Sequence, residues 1–422
     1  MNRLTRDTTS TALRVARLII TLLLSAQALA IALLVSIDTV RKFRRTQHSD
    51  GYPVIEPEPF QAAGNNMTIY MEGVSVYADM LVEIERAKHF IYFETYIWKD
   101  DAIGHMFKDA LIRAAQRGVN VYIVWDAFGN MVVKPKFFVF PVLPHLHPMR
   151  YPLPHTGRDH RKILVVDGKT GFVGGYNIGD LYASLEWRDT HIKIEGAAVW
   201  ELENAFVDFW NRARNQWYNR LHNAVTRVLS RSKPQYPKLP DQGAKQWDAS
   251  IVAAINDPKR LVFPIRGSYI DILERAVDRA YLTAAYFVPD REIQGSLIAA
   301  AQRGVDVRVL IPEKSNHIVA DWISRAYLTE LLDAGIQLWR YKDLMIHSKT
   351  AVVDGRWTTI GTANIDRMSM TGNHEINLEI FDETAAKKME DVFLTDLKNA
   401  RRLTVEEWYD RPYIARIIES IL

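Results

Sequence analysis

Two short stretches carry the residue types best able to do chemistry. The first is His160-Arg161-Lys162-Ile163-Leu164-Val165-Val166-Asp167, and the second is His347-Ser348-Lys349-Thr350-Ala351-Val352-Val353-Asp354. Both read His-x-Lys-x4-Asp. Each is followed by Gly and a small residue, Gly174-Gly175 and Gly361-Thr362, and then by an asparagine, Asn177 and Asn364. A single copy fits an ordinary strand edge; two copies with matched downstream residues point to a site. Together they supply two imidazoles, two ammonium groups and two amides, a set suited to a phosphodiester rather than to a carbonyl or a sugar. A phosphodiester needs its non-bridging oxygens neutralised, a nucleophile at phosphorus and a proton for the departing alkoxide. Lys162, Lys349, Asn177 and Asn364 answer the first need. One imidazole attacks and the other protonates, because imidazole titrates near working pH. The intermediate is a phosphohistidine, released by an alcohol or by water. The scheme calls for no metal and no cofactor.

Such residues have to be held by strands. Side chains two apart in a strand share a face. His-x-Lys therefore projects together at the start of a strand whose apolar continuation enters the core. The Gly pair admits a second backbone, and the asparagine behind it donates to a phosphoryl oxygen. The chain also repeats itself on a larger scale. Ala114-Ala115-Gln116-Arg117-Gly118-Val119 returns as Ala300-Ala301-Gln302-Arg303-Gly304-Val305, at nearly the spacing that separates the two histidines. Two landmarks sharing one offset imply a duplicated domain. Each half predicts a helix (76–87; 270–280), an apolar strand (90–97; 282–288) and a helix ending at Gly118 or Gly304 as its C′ residue. A valine-rich strand follows (119–125; 305–311), then the His-x-Lys strand and its neighbour (170–174; 357–361). Alternating elements of this kind imply a mixed α/β sheet flanked by helices.

The chain has 422 residues, enough for two cores. A net charge of only +3 is no footprint for nucleic acid, and the absence of cysteine excludes disulfides and thiolate metal sites. Residues 18–37 carry no charge, and twenty residues at a rise of ~1.5 Å span ~30 Å, the core of a bilayer. A cleavable signal peptide is the rival reading, with Ala26-Gln27-Ala28 and Ala28-Leu29-Ala30 as cleavage-like sequences. The apolar run continues past both, which favours an uncleaved anchor. Arg3, Arg6, Arg14 and Arg17 before the run balance Arg41, Lys42, Arg44 and Arg45 after it, so charge gives no orientation. Proline-rich stretches at 52–60 and 230–245 read as linkers. The segment 131–154, with Phe137-Phe138-Val139-Phe140, reads as a buried strand plus a proline-rich turn, with a membrane-dipping loop as its alternative. His145 and His147 have no acidic or cysteine partner at ligand spacing and are not metal ligands. Ile414, Ile417, Ile418 and Ile421 have helical spacing and are expected to pack on the domain.

The paired motifs resemble those of the phospholipase D superfamily, over the chain from about residue 65 onward. Within it, Tyr286-Phe287-Val288-Pro289-Asp290, the 301–307 run leading to Ile311-Pro312, and the tail Trp408-Tyr409-Asp410-Arg411-Pro412-Tyr413 are most similar to bacterial cardiolipin synthases. The resemblance implies an α/β fold of two duplicated domains, each a mixed β-sheet flanked by helices, related by a pseudo-two-fold axis; the one N-terminal transmembrane helix, read from residues 18–37, departs from the two that many of these synthases carry. The implied boundaries are 1–45 (anchor), 46–64 (linker), 65–229 (first domain), 230–245 (linker) and 246–422 (second domain). It also implies that each histidine is oriented by an acidic residue further on, Asp189 and Glu375 here. The catalytic set then comprises His160, Lys162, Asn177, Asp189, His347, Lys349, Asn364 and Glu375, with the motif residues Asp167 and Asp354, whose apparent task is the fold at the strand end. Thr362, where Gly or Ser is usual, is expected to be harmless. The implied activity is a phosphatidyltransfer that makes cardiolipin from two phosphatidylglycerols and releases glycerol. A phospholipase D using water, a nuclease of the same superfamily and an inactive membrane scaffold are the alternatives. The expected partners are phospholipid and the bilayer, not nucleic acid, at the cell membrane of a bacterium.

Overall fold

The computed structural model describes residues 4–44, 51–152, 157–214, 236–243 and 250–421. The expected linker at 230–245 therefore lies outside the described residues except for 236–243, as do 46–50, Pro154 and Leu422.

The first sheet contains β1 (Phe60–Ala62), β2 (Asn65–Tyr70), β3 (Phe90–Thr95), β4 (Asn120–Asp126), β5 (Leu146–Tyr151), β6 (Ile163–Val166), β7 (Thr170–Gly174) and β9 (His191–Glu195). Its order is β1-β2-β9-β7-β6-β3-β4-β5. The second contains β10 (Ile251–Asn256), β11 (Arg279–Ala284), β12 (Asp306–Pro312), β13 (Gln337–Tyr341), β15 (Lys349–Val353), β16 (Trp357–Gly361), β17 (Glu375–Phe381) and β18 (Ala400–Arg402), in the order β10-β17-β16-β15-β11-β12-β13-β18. The run β9-β7-β6-β3-β4-β5 matches β17-β16-β15-β11-β12-β13 strand for strand. In both, three parallel strands adjoin an antiparallel part that begins with the His-x-Lys strand. Two short strands, β8 (Trp187–Arg188) and β14 (Met345–Ile346), pair in parallel across the halves.

The helices are α1 (Leu4–Arg44), α2 (Gly73–Arg86), α3 (Ala102–Gln116), α4 (Val199–Ala213), α5 (Pro264–Arg275), α6 (Arg291–Gln302), α7 (Ile318–Asp333), α8 (Arg367–Thr371), α9 (Glu383–Leu397), α10 (Val405–Tyr409) and α11 (Tyr413–Ile421). They form layers. Helices α2 and α3 cover the outer face of the first sheet, and α5, α6 and α7 that of the second. A third apolar cluster fills the space between the sheets and includes residues of α4 and α9. In α4, Leu202, Ala205, Phe206, Phe209, Trp210 and Ala213 are all buried, the spacing of a helix that offers one broad apolar stripe. Burying each large side chain of this kind stabilises by ~1.5–3 kcal/mol. The shared inner core is why the halves hold a fixed relation.

Local expectations compare closely with these elements. Gly118 and Gly304 have φ of +91° and +93° and end α3 and α6, the left-handed C′ position that glycine occupies without strain. The strands expected at 170–174 and 357–361 are β7 and β16. The helix expected at 270–280 is different. It starts earlier and stops at Arg275, because Val277, Asp278 and Arg279 give their N–H groups to the Asp354 carboxylate instead of to a helix. The strand expected at 282–288 is β11, shifted toward the N-terminus. The proline-rich 51–59 segment has no regular structure but lies against the body. Tyr52 donates to the carbonyls of Met71 and Trp187, and Val54 and Ile55 pack on the inner core. Segment 236–243 is likewise docked, with the Trp210 indole donating to the Pro237 carbonyl at 3.0 Å and Leu239 buried. Segment 131–152 combines a short 3-10 helix (Pro135–Phe138), an edge strand and exposed Met131, Val132, Val139 and Val142. Within α1, Leu13–Val40 is apolar and long enough to cross a membrane. Its Leu34 is buried, and α1 packs against α7 and α11.

Candidate active site

The site forms where the segments leading into the catalytic strands cross between the halves. The chain ahead of His160 pairs with the chain ahead of Glu375: His160 donates its backbone N–H to the His374 carbonyl at 3.0 Å, and His374 donates to the Arg158 carbonyl at 2.8 Å. The chain ahead of His347 pairs with the chain ahead of Asp189 through β14 and β8, and the His347 N–H reaches the Arg188 carbonyl at 2.6 Å. Each histidine is thus stitched to the acid-bearing segment of the opposite half.

The side chains follow the backbone. His160 Nδ1 lies 2.9 Å from Glu375 Oε2, and His347 Nδ1 lies 2.6 Å from Asp189 Oδ2. The two acids come together with the two histidines, but crosswise. The carboxylate further along the same half, expected to hold each ring, holds the other one. Burial drives both imidazoles toward the neutral form, most strongly His347, which is pushed down to about 3. Burial opposes ionisation of Asp189 and Glu375 too, yet Lys349 and His347 around Asp189, and His160 and Lys162 around Glu375, hold both carboxyls below their usual range. The arrangement is a neutral ring donating from Nδ1 to an anion, which leaves Nε2 with its lone pair, as in other histidine–carboxylate pairs. Tyr96 packs edge-on against His160 and Trp187 against His347, with ring centroids 4.7 and 4.9 Å apart.

The lysines occupy matching positions. Lys162 Nζ donates to the His160 carbonyl at 2.5 Å, and Lys349 Nζ donates to the His347 carbonyl. Burial lowers Lys162 to about 8 and Lys349 to about 7. The field of Lys349 reaches His160, and that of Lys162 reaches His347, so the two half-sites lie close enough to act on each other electrostatically. A phosphodiester placed there restores the charge on both ammonium groups. Asn177 Oδ1 accepts from the Ile97 N–H at 3.1 Å, which turns its amide NH2 away from that strand. Asn364 is buried, and its Oδ1 has no partner among the described residues. An unpaired buried carbonyl oxygen is costly and suits a hydroxyl donor on a bound ligand.

Asp167 and Asp354 stand apart from this cluster and leave the catalytic set. They lie at the far ends of their strands, in Asp-Gly hairpin turns with φ of +53° and +52°. Asp167 accepts from the N–H groups of Lys88, His89 and Phe90, as Asp354 does from those of Val277, Asp278 and Arg279. Their work is to tie the entry of the neighbouring parallel strand to the hairpin. The Asp-Gly pair between apolar runs was the signal for this. Thr362 has more to do than expected, because its hydroxyl donates to Glu375 Oε2 at 2.6 Å. In the other half the corresponding residue is Gly175, where a Cβ would stand 2.0 Å from Asp189 Oδ1. Sequence reasoning also passed over Arg188, fully buried beside Asp189 and paired at both nitrogens with Asp396 of α9 at 2.8 Å. No cluster of metal ligands occurs among the described residues.

Two sheets of one topology, with a histidine–carboxylate pair completed from each opposite half, define a duplicated phospholipase D-like protein. The family model described as cardiolipin synthase, phospholipase D-like domain, matches residues 80–210 and 269–397. The major cardiolipin synthase of Bacillus subtilis (strain 168) is 34% identical over 374 residues, 85% of this chain and 74% of that one. A cardiolipin synthase of Listeria monocytogenes serotype 4b (strain F2365) is 31% identical over 372 residues, 85% of this chain and 74% of its own. The chain belongs to the cardiolipin synthase family of phospholipase D-like enzymes. Among solved structures, phosphatidylserine synthase of Haemophilus influenzae Rd KW20 superposes with a TM-score of 0.64 over 86% of this chain and 93% of that one; at 16% identity this likeness speaks for the fold.

Proposed function

We propose that the protein is a membrane-bound phosphatidyltransferase that joins two phosphatidylglycerols into cardiolipin and releases glycerol. The observation that carries this reading is the crossed pair of dyads, His160–Glu375 and His347–Asp189, each within the electrostatic reach of both Lys162 and Lys349. Nε2 of one histidine attacks phosphorus. The bond from phosphorus to the headgroup glycerol oxygen breaks, and the second histidine gives that oxygen its proton. The 3′-hydroxyl of a second phosphatidylglycerol then attacks the phosphohistidine, its proton passes to the second histidine, and the N–P bond breaks. The lysines, Asn177 and Asn364 hold the non-bridging oxygens. His160 is assigned the attack, because its side chain is the more open of the two, 12% exposed against 6% for His347. His347, with its depressed proton affinity, takes up its proton once the lipid phosphate is beside it. Asp189 and Glu375 orient and charge-stabilise the rings.

The named activities of the relatives support cardiolipin formation. The anchor reading is supported by α1, whose Leu13–Val40 stretch is long and apolar enough to cross a membrane and which contacts α7 and α11. A single-pass helix at the cell membrane gives the site direct access to lipid. Modest net charge disfavours nucleic acid as substrate.

Purified full-length protein incubated with labelled phosphatidylglycerol tests the reading. Mass spectrometry is expected to find cardiolipin and glycerol; phosphatidic acid with glycerol would mean hydrolysis instead. His160→Ala and His347→Ala are each expected to lose about 10⁴-fold or more of the turnover. Substantial activity in either variant sinks the shared site.

A further inference from the structure

A cavity of about 910 Å³ lies between the last turns of the apolar stretch of α1 and the helix α7. Ser36, Ile37 and Val40 form its membrane-side wall. Its inner end is Tyr286, whose ring centroid is 6.1 Å from that of His347. The cavity therefore leads from the helix proposed to cross the bilayer to the flank of one catalytic ring. A volume of this order accommodates a lipid headgroup with the first carbons of its chains.

Its wall carries Lys314, Arg325 and Arg340 together with Asp38, Glu313, Asp321 and Asp343. Arg325 and Arg401 are the cations nearest in effect to Arg340. Arg325 pairs with Glu419 at 2.5 Å, and Arg401 with Glu313 and Glu407, both at 2.7 Å. The Arg340 guanidinium lines the cavity, 6.0 Å from the Trp408 ring centroid, and makes no side-chain hydrogen bond or ion pair with a described residue. Burial, and then the neighbouring Arg325 and Arg401, lower its proton affinity to about 10. A half-buried guanidinium flanked by two others is stabilised by an anion, and its planar fork matches a phosphate. The carboxylate of Asp321, already accepting from the Ser315 N–H at 2.9 Å, faces the same space with Asp38 and Asp343. Carboxylates beside a guanidinium that has no side-chain partner suit a headgroup that pairs an anionic phosphate with hydroxyl donors.

We propose that this cavity is a loading site for an anionic, hydroxyl-bearing phospholipid such as phosphatidylglycerol. The lipid phosphate sits on Arg340, its headgroup hydroxyls face the Asp321 wall, and its chains run along α1. The proposal rests on the phosphatidyltransfer reading and on α1 as anchor, and it adds the route by which lipid reaches His347.

Full-length protein in phosphatidylcholine nanodiscs, doped with photoactivatable phosphatidylglycerol, phosphatidylethanolamine or phosphatidylcholine, tests it, with labelled peptides mapped by mass spectrometry. Phosphatidylglycerol is expected to label residues 36–40 and 314–325 about fivefold more than either zwitterionic lipid, because only it presents an unbalanced negative charge. Arg340→Gln is expected to abolish that preference and Arg340→Lys to restore much of it. The turnover loss in Arg340→Gln is expected in KM, about tenfold, rather than in kcat. Ser36→Trp blocks the membrane-side mouth without touching Arg340 and is expected to give the same loss of labelling; it decides the matter if Arg340→Gln fails to fold. Equal labelling by the three lipids, or labelling unchanged by both substitutions, overturns the proposal. Selective labelling without any turnover upholds the cavity while refuting the phosphatidyltransfer reading. Normal turnover without selective labelling refutes the cavity alone.

Discussion

The two crossings that build the site differ in what stiffens them. Where the His347 segment meets the Asp189 segment, a buried Arg188 reaches across to Asp396 of the second half, and Thr190 shares a 2.6 Å hydrogen bond with Ser348. Where the His160 segment meets the Glu375 segment, the buried cation is Arg161, which binds Asp159 and Glu94 of its own half, and the facing residue is His374. One guanidinium serves each junction, supplied once by the residue before the acid and once by the residue after the histidine. The carboxylates differ too. Glu375 receives the Thr362 hydroxyl, whereas Asp189 lies against Gly175 and receives the Thr190 N–H at 2.8 Å. The reacting atoms have stayed equivalent while their supports have diverged. The result is two imidazoles of unequal proton affinity, which a two-step transfer needs.

The largest effect that tests this comparison comes from the acids. Asp189→Asn and Glu375→Gln keep shape but remove the charge that fixes the ring tautomer, and each is expected to lower kcat about 10³-fold, by analogy with other histidine–carboxylate pairs. Because the pairs are crossed, Glu375→Gln is expected to move the downfield Nδ1–H resonance of His160 in ¹⁵N-histidine spectra and to leave that of His347 in place. Asp189→Asn is expected to do the reverse. A shift of the ring in the same half by either variant breaks the crossed assignment.

That crossing marks the boundary of what the sequence made legible. The duplication, the two sheets, the strands at 170–174 and 357–361, and the identity of His160, Lys162, His347 and Lys349 as neighbours follow from local pattern and repeat, while Asp189 and Glu375 enter through the resemblance to the phospholipase D superfamily. Which acid meets which ring does not, because it depends on segments that pair between halves, β8 with β14 and Asp159 with His374, and neither pairing has a periodicity to read. The same holds for Thr362. It carries a hydroxyl that glycine lacks, and the partner of that hydroxyl is set by the fold. The early end of α5 was obscured because its competitor for the backbone, Asp354, lies far along the chain.

A smaller effect separates the lysines. Lys349 is lowered to about 7 and Lys162 to about 8. Each must carry its proton to hold phosphate, so charge is present below these values and lost as pH rises through them. The quantity kcat/KM, which reports the free enzyme, is expected to fall on the alkaline side from about pH 7. Lys349→Arg keeps the charge through this range and is expected to move the limb up by about one unit, to where Lys162 titrates. Lys162→Arg is expected to leave the limb near its original position. Equal shifts from both variants remove the asymmetry between the half-sites.

Thr362→Val comes next. It removes a hydrogen bond to a buried carboxylate, about 1.5–3 kcal/mol, and the acceptor of the Ile376 N–H, and is expected to cost at least about tenfold in kcat while Thr362→Ser retains activity. The opposite exchange, Gly175→Thr, has no room beside Asp189 and is expected to yield unfolded protein, seen as loss of a cooperative thermal transition.

The smallest effect on turnover is expected at the motif aspartates. Asp167 binds three successive N–H groups at 2.8–2.9 Å, and its turn conformation, with φ of +53°, is one that aspartate and asparagine tolerate better than most residues. The three backbone donors outweigh burial and hold its carboxyl below the usual range. The stability it contributes is therefore present above the unfolded carboxyl pKa and lost as pH falls through the lower folded value. Asp167→Ala is expected to lower stability by about 1–3 kcal/mol at neutral pH, with kcat within about threefold of wild type at temperatures where the variant is folded. Asp167→Asn keeps one acceptor and the turn, and is expected to recover part of the loss. The equivalent pair at Asp354 should behave alike, because its three donors are the same length within 0.2 Å. A large fall in kcat for folded Asp167→Ala, with its thermal midpoint unchanged, would return this residue to the chemistry and undo the division between the two ends of the catalytic strand.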